Sequence, residues 1–146
     1  MSRDPALSDA MKRADDALSA MRSGDPQPYI NCWAASPDAT LFGPWSPMEH
    51  GAKAVTDTFQ WVASRFTGGR ADVEHAVIAQ SGDLAYTVGF ERGPASVAGG
   101  PSKEMVIRVT HIYRRDGADW KLVHRHADFP PPDQRRPSQL TNDMPR

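Results

Sequence analysis

Two histidines stand one residue apart in the string WKLVHRHADF, near the end of the patterned part of the chain. Side chains alternate between the faces of a β-strand, so His124 and His126 are predicted to share a face. His111 and His75 also fall on the more apolar sides of their predicted strands. Imidazole titrates near neutral pH, and these residues could therefore move protons, orient a ligand or bind a metal ion.

Three interpretations of these histidines stay open. An H-x-H pair with a third histidine resembles the ligand set of a zinc site, but the spacing is a weak signal and no H-E-x-x-H helix is present. The rings could instead be hydrogen-bonded within the sheet or at a subunit interface. The third interpretation is acid–base catalysis or ligand orientation inside a pocket.

The elements that must position the histidines are three helices followed by four long strands. Asp4 and Pro5 predict the start of the first helix, and Gly24 predicts its end. A short helix, a short strand over 39–43 and a third helix over 51–66 follow. The pattern then changes to a period of two, which predicts antiparallel strands over about 70–80, 84–91, 105–115 and 120–128. This order predicts an α+β fold with helices on one sheet face.

The turn in the last hairpin decides which side chains share a face. A two- or four-residue turn within DGAD pairs residue 111 with residue 124, and it places His111 with His124 and His126. The same reasoning places His75 on the face of Tyr86 in the preceding hairpin.

Composition limits the classes of function. The chain has 146 residues and a formal net charge of -1 with no basic stripe, so nucleic acid is not an expected partner. We expect one domain over 1–129 and a loosely ordered, proline-rich tail over 130–146. No apolar run predicts a signal peptide or membrane span, and the single Cys32 agrees with a cytoplasmic location. No phosphate-binding glycine loop is present, and no cofactor is expected.

Several strings resemble one protein family. SGDPQPYINCWAASPDATLFGP, SGDLAYTVGFERG and IRVTHIYRRDGADWKLVHRHAD resemble the SnoaL-like and ketosteroid-isomerase-like branch of the nuclear transport factor 2 superfamily, over about 5–129. The resemblance implies a cone-shaped α+β domain whose bent sheet wraps the first helix and encloses a pocket. It also implies a homodimer formed through the outer sheet face. Members include isomerases, cyclases, dehydratases and non-catalytic domains, so the fold leaves the function open.

The resemblance also bears on the site residues. The catalytic aspartate of the steroid isomerases corresponds to Gly43 here, and their tyrosine falls near Ala17, so that mechanism is excluded. The last string also resembles the association domain of calcium/calmodulin-dependent kinase, in which an arginine faces the cavity. Arg108 is the nearest match, and a bulge in its strand would decide whether Arg108 or His111 faces the pocket.

These observations predict a protein that binds a small organic molecule in a pocket. It is expected to be a cofactor-free lyase, isomerase or cyclase-like enzyme, or alternatively a non-catalytic dimeric domain that binds a small acid or assembles with itself. A metal-dependent enzyme is the third and weakest reading. The predicted catalytic residues are His111, His124 and His126, and the predicted ligand-binding residues are Arg108, Tyr86, Trp33, Trp45, Tyr29 and His75.

Overall fold

A computed structural model of the chain describes residues 3–132. Three helices and seven strands are formed in this part of the chain. The helices are α1 (Pro5–Arg22), α2 (Gln27–Ile30) and α3 (Ala52–Arg65). The strands are β1 (Thr40–Phe42), β2 (Met48–His50), β3 (Phe66–Gly69), β4 (Asp72–Ser81), β5 (Leu84–Val97), β6 (Lys103–Asp116) and β7 (Asp119–Asp128). The predicted tail over 130–146 lies almost entirely outside the described residues.

Helix α1 forms where the sequence predicts it, and it supplies much of the core. The Asp4 carboxylate accepts a hydrogen bond of 3.0 Å from the Ala6 backbone N–H, which caps the first turn. One stripe of the helix is buried, and it includes Leu7, Met11, Leu18 and Met21. Burying this stripe against the sheet removes apolar surface from water, which is the main force that fixes the helix in place.

The strands form one strongly curled sheet in the order β2-β1-β7-β6-β5-β3, with β4 also paired to β5. Strand β1 runs parallel to β7, and the long strands β4 to β7 are antiparallel to their neighbours. The helices lie against the concave face. The predicted α+β fold, with N-terminal helices on a strongly bent antiparallel sheet, is therefore confirmed.

A β-bulge in β7 corrects the predicted register of the last hairpin. Next to the turn, Tyr113 pairs with Leu122, as a two-residue turn requires. The register then shifts between Ile112 and Tyr113, and His111 pairs with Arg125 instead of residue 124. The extra residue in β7 reverses the alternation of side chains beyond it. The prediction that His111 shares a face with His124 and His126 is therefore wrong.

A second bulge, in β4, changes the neighbouring hairpin in the same way. The register shifts between His75 and Val77, which turns His75 away from the face that carries Tyr86. A Cβ atom on Gly89 would lie 1.8 Å from the Glu74 carbonyl oxygen, so the strand opposite this bulge must carry glycine. The prediction that His75 lies on the same face as Tyr86 is wrong for this reason.

Two segments predicted as connections contain strands. The loop WSPMEHG includes β2, which pairs with β1. The segment after Glu91 continues β5 as far as Val97, and its end pairs with β3. Alternation of apolar residues is absent from both segments. Their extended shape therefore comes from backbone pairing with neighbouring strands rather than from a sequence pattern.

Candidate active site

A cavity of about 60 Å³ lies between the helices and the concave face of the sheet. Its volume is below the roughly 300–1,000 Å³ of pockets that hold drug-sized ligands. Apolar side chains form most of its wall, namely those of Leu18, Met21, Leu41, Pro44, Trp45, Phe59, Val62, Phe66, Met105, Ile107 and Phe129. Its charged side chains are Arg22, Glu91 and Arg125, and its neutral hydroxyl groups belong to Tyr29, Ser46 and Thr58.

The centre of the polar wall is a buried ion pair between β7 and β5. Arg125 donates two hydrogen bonds to the Glu91 carboxylate, of 2.5 Å from Nη1 to Oε2 and 2.9 Å from Nη2 to Oε1. This forked geometry is the strong form of an arginine–carboxylate contact. Burial alone would lower the pKa of Arg125, but the Glu91 charge raises it overall. Arg125 therefore stays charged inside the protein and forms a buried ion pair with Glu91.

Tyr29 connects this ion pair to His111. Helix α2 places the Tyr29 hydroxyl 2.6 Å from His111 Nε2, and Arg125 Nη1 lies 3.3 Å from the same ring nitrogen. The guanidinium is a donor only, and it also lies 3.5 Å from the Tyr29 hydroxyl oxygen. In the tautomer whose Nε2 lone pair faces Arg125, Nε2 accepts the hydrogen bond and the Tyr29 hydroxyl donates it. Burial raises the pKa of Tyr29, which keeps the phenol protonated.

His111 is held in its neutral form by its surroundings. Burial lowers its pKa well below the ordinary value, and the nearby Arg125 charge lowers it further. A neutral imidazole is a proton acceptor, whereas an imidazolium is not. The Tyr29–His111 contact therefore joins a phenol at the cavity wall to a base behind it.

Arg22, in the last turn of α1, is the third buried charge. Its guanidinium donates to the backbone carbonyl groups of Arg70, Gly93, Met105 and Glu91, at 2.9 to 3.3 Å. No carboxylate of residues 3–132 makes an ion pair with it, and burial lowers its pKa. Arg22 ties the helix to the bend of the sheet, and it adds a positive charge to the cavity wall.

Only some of the predicted site residues lie at this cavity. Tyr29 and Trp45 line it, and Trp45 packs on Phe66 with ring centroids 5.2 Å apart. His111 lies behind Tyr29 and Arg125 and is fully buried. Trp33 packs in the core against Tyr29 and Phe59, outside the cavity lining.

The other predicted residues point elsewhere. His124, His126, Arg108 and Tyr86 lie on the convex face, where His124 contacts Thr40 at 2.7 Å and Arg108 pairs with Asp128. The β7 bulge places the two histidines there, and the alternation of β6 places Arg108 opposite His111. Arg108 forms an ion pair with Asp128 on the convex face, whereas Arg125 forms one with Glu91 on the concave face.

His75 lies on the concave side but away from the cavity. Its Nε2 is 2.9 Å from Asp15 Oδ2 on α1, and both side chains are partly buried. This contact joins β4 to the first helix, and His75 is not among the residues that line the cavity.

Sequence reasoning missed Arg125 and Arg22. One signal for Arg125 was present in the sequence. Leu122 and Val123 are adjacent apolar residues in an otherwise alternating strand, and such a step marks a bulge that reverses the faces beyond it. Ala127 is buried on the Arg125 side, which agrees with the reversed alternation.

Residues 3–132 contain neither a metal-ligand cluster nor a membrane-spanning helix. No three side chains of histidine, cysteine, aspartate or glutamate in this range are grouped so that they could hold a metal ion. No helix within the same range is long and apolar enough to cross a membrane.

Comparison with solved structures shows the same fold. A ketosteroid isomerase-like protein from Erwinia carotovora atroseptica matches with a TM-score of 0.73 and 19% identity, over 89% of this chain and 100% of that one. A candidate dehydratase of the NTF2-like family from Streptomyces avermitilis matches with a TM-score of 0.71 and 17% identity, over 85% and 93% of the two chains. A candidate calcium/calmodulin-dependent protein kinase type II association domain from Thiobacillus denitrificans matches with a TM-score of 0.70 and 18% identity, over 90% and 100%.

Comparison at the level of sequence identifies the family. No curated protein matches the chain. Residues 11–132, which include all the charged residues of the cavity wall, match the SnoaL-like domain family. The chain therefore belongs to the SnoaL-like domain family.

Proposed function

We propose that this protein binds a small, mostly apolar organic anion in the cavity beneath its helices. One observation carries the proposal: the wall holds two arginines, Arg22 and Arg125, and one carboxylate, Glu91, which leaves an excess of one positive charge. The two other groups at this end, Tyr29 and His111, are neutral for the reasons given above.

The excess charge favours an anion because the cavity is apolar. Charges interact strongly where water is excluded, and a buried charge without a counterion is costly. Backbone carbonyl dipoles stabilise Arg22, but they carry no net charge. A ligand carboxylate or enolate would balance the excess, and its carbon chain would contact Leu41, Phe59 and Ile107. The volume limits that chain to a few carbons unless Trp45 or Phe129 moves.

Isothermal titration with straight-chain carboxylates of four to seven carbons, against the amides of equal length, tests this proposal. We expect the acids to bind at least about tenfold more tightly than the amides at pH 7.5. Equal affinity of acid and amide, or no binding by either, contradicts the proposal.

A charge variant of the cavity gives a second, independent readout. Glu91→Gln raises the excess charge from one to two, and we expect it to strengthen acid binding on the order of tenfold. Asp128→Asn is the matched control, because it removes a carboxylate on the convex face and should leave the affinity unchanged. A thermal melt first establishes that each variant is folded.

Catalysis by proton transfer is the second candidate function, and the Tyr29–His111 contact favours it. Tyr29 lines the cavity, and its proton lies on a 2.6 Å hydrogen bond to a neutral base. A proton taken from a bound ligand by the phenol oxygen would be matched by transfer of the phenol proton to His111 Nε2. Burial raises the pKa of Tyr29 and lowers that of His111, so this transfer requires that the Arg125 charge stabilise the anion formed on the ligand. Such a relay suits a cofactor-free isomerase, lyase or cyclase-like reaction next to a carbonyl group.

Exchange of ligand hydrogens for deuterium tests the relay without a known substrate. In D₂O, NMR would follow exchange at the carbons beside the ketone of 4-oxopentanoate. We expect the wild-type protein to accelerate this exchange, and both Tyr29→Phe and His111→Gln to abolish the acceleration. Retained acceleration in Tyr29→Phe would eliminate the relay. The proposal that the cavity binds an anion would still stand.

The homodimer implied by the family remains a proposal. The convex face carries exposed apolar side chains, namely Phe42, Val77, Leu84, Tyr86 and Val88. A second copy packed on this face would remove them from water. Sedimentation equilibrium of the wild type and of Tyr86→Lys is the test: we expect a dimer that the lysine disrupts, and a wild-type monomer at tens of micromolar would refute the dimer.

A further inference from the structure

The loop between β1 and β2 carries a buried hydroxyl group that is not hydrogen-bonded to the charged side chains of the cavity. Ser46 lines the cavity, and its Oγ is inaccessible to solvent. Within residues 3–132 this oxygen has no hydrogen-bond partner. Buried hydroxyl groups normally make a hydrogen bond. A polar group of a ligand in the cavity could supply the partner that the Ser46 hydroxyl lacks within residues 3–132.

Gly43 explains why the hydroxyl can occupy its position. A Cβ atom on Gly43 would lie 2.9 Å from Ser46 Oγ and 3.9 Å from Leu41 Cδ1, and Leu41 also lines the cavity. The Ser46 side chain therefore fills the space where a side chain at position 43 would begin. The turn holds it there, because the Ser46 backbone N–H donates to the Gly43 carbonyl oxygen at 3.4 Å.

We propose that Ser46 is a specificity-determining residue that hydrogen-bonds a second polar group of the ligand, distinct from the anionic group. The inference rests on the proposed function and narrows its ligand class to small acids that also carry a hydroxyl or carbonyl group. In this arrangement residues of β5, β7 and α1 bind the anionic group, and Ser46 in the loop between β1 and β2 binds the second polar group. A hydroxyl group suits either partner because it donates and accepts.

Carboxylates with a terminal hydroxyl group, of four to seven carbons, are the probes, each measured by calorimetry against the unsubstituted acid of equal length. We expect one chain length to bind the wild type about 2- to 12-fold more tightly than its unsubstituted partner, the range of one neutral hydrogen bond. Ser46→Ala should remove this gain and leave the affinity for the unsubstituted acid unchanged.

Two further variants separate this role from a structural one. Gly43→Ala retains the serine but places a methyl group against its hydroxyl, and we expect it also to reduce the gain. Thr58→Val is the matched control, because Thr58 is the cavity's other aliphatic hydroxyl residue, and it should retain the gain.

The outcomes keep the two proposals apart. Binding of the unsubstituted acids with no gain at any chain length, or a gain that survives Ser46→Ala, overturns the role of Ser46 and leaves the anion site standing. The role of Ser46 is also overturned if Thr58→Val removes the tighter binding of the hydroxy acid and Ser46→Ala does not. A wild-type protein that binds none of the acids overturns both the anion site and this inference.

Discussion

The sheet carries two forked arginine–carboxylate pairs, one on each face. Arg125 and Glu91 meet on the concave face, with side chains only 8% and 2% exposed. Arg108 and Asp128 meet on the convex face with two contacts of 2.7 and 2.6 Å, and both side chains are 48% exposed. Arg125 binds through Nη1 and Nη2, and Arg108 binds through Nε and Nη2. Both contacts consist of two hydrogen bonds, so the main difference between the pairs is their exposure to water.

That difference gives the same chemical contact two different consequences. Water screens the convex pair, and surface ion pairs of this kind contribute little to stability. The concave pair lies beside a neutral imidazole and a phenol, and the Arg125 charge helps to lower the pKa of His111 and opposes the rise that burial causes in the pKa of Tyr29. Burial therefore makes the concave pair a constraint on folding and, under the proposed function, on the charge of the ligand.

The largest expected effect comes from breaking the concave pair. Arg125→Met leaves Glu91 buried without its counterion, and we expect the free energy of unfolding to fall by about 3–5 kcal/mol. Urea denaturation followed by circular dichroism measures this change.

The double variant Arg125→Met with Glu91→Leu is the control, because it removes both charges. Replacement of a buried ion pair by apolar side chains is often neutral, so most of the lost stability should return. A double variant as unstable as the single one would show that packing of Arg125, rather than its charge, stabilises this region.

The next effect is a dependence of stability on pH through His111. Its pKa is lowered in the folded state, whereas the unfolded chain titrates near 6.5, so only the unfolded state takes up this proton as the pH falls. The contribution of His111 is complete above pH 6.5 and is lost below it, by at most about 1.4 kcal/mol per pH unit. Urea denaturation at pH 7.5, 6.5 and 5.5 gives the free energy of unfolding at each pH. We expect this free energy to fall less steeply with decreasing pH in His111→Gln than in the wild type.

His124 on the convex face provides the comparison for this prediction. Burial lowers its pKa as well, and the nearby His126 lowers it further, but the ring is only partly buried. His124→Gln should therefore flatten the pH dependence less than His111→Gln does. An equal or larger effect of His124→Gln would contradict the assignment of the main effect to the concave face.

The smallest expected effect comes from breaking the convex pair. Arg108→Ala removes the contact with Asp128, and we expect the free energy of unfolding to change far less than in Arg125→Met, because water already screens this pair. Added salt should reduce even this difference, since exposed charges are screened. A loss as large as that of Arg125→Met would mean that the convex pair is buried in solution, as it would be at a dimer interface.

The sequence allowed most of the elements to be predicted, for identifiable reasons. The cap at Asp4, the apolar stripe of α1 and the two-residue period of the long strands are local signals, and they appear as helix and strand where they were expected. The site was predicted less well. Tyr29 and Trp45 were identified as wall residues, whereas Arg22 and Arg125 were not. Local patterns indicate which residues are buried, but not which buried charges meet.

The sequence by itself determined the α+β class, the helices and the long strands, because hydrophobic period and capping act over a few residues. Only the tertiary structure decided which residues face the cavity. One additional residue in β7 exchanges the two faces beyond it. Arg125 therefore points inward, whereas its sequence neighbours His124 and His126 point outward. Contacts such as Arg125–Glu91, 34 positions apart in the chain, depend on that pairing register. Backbone hydrogen bonds between whole strands set the register, and no short stretch of sequence contains them.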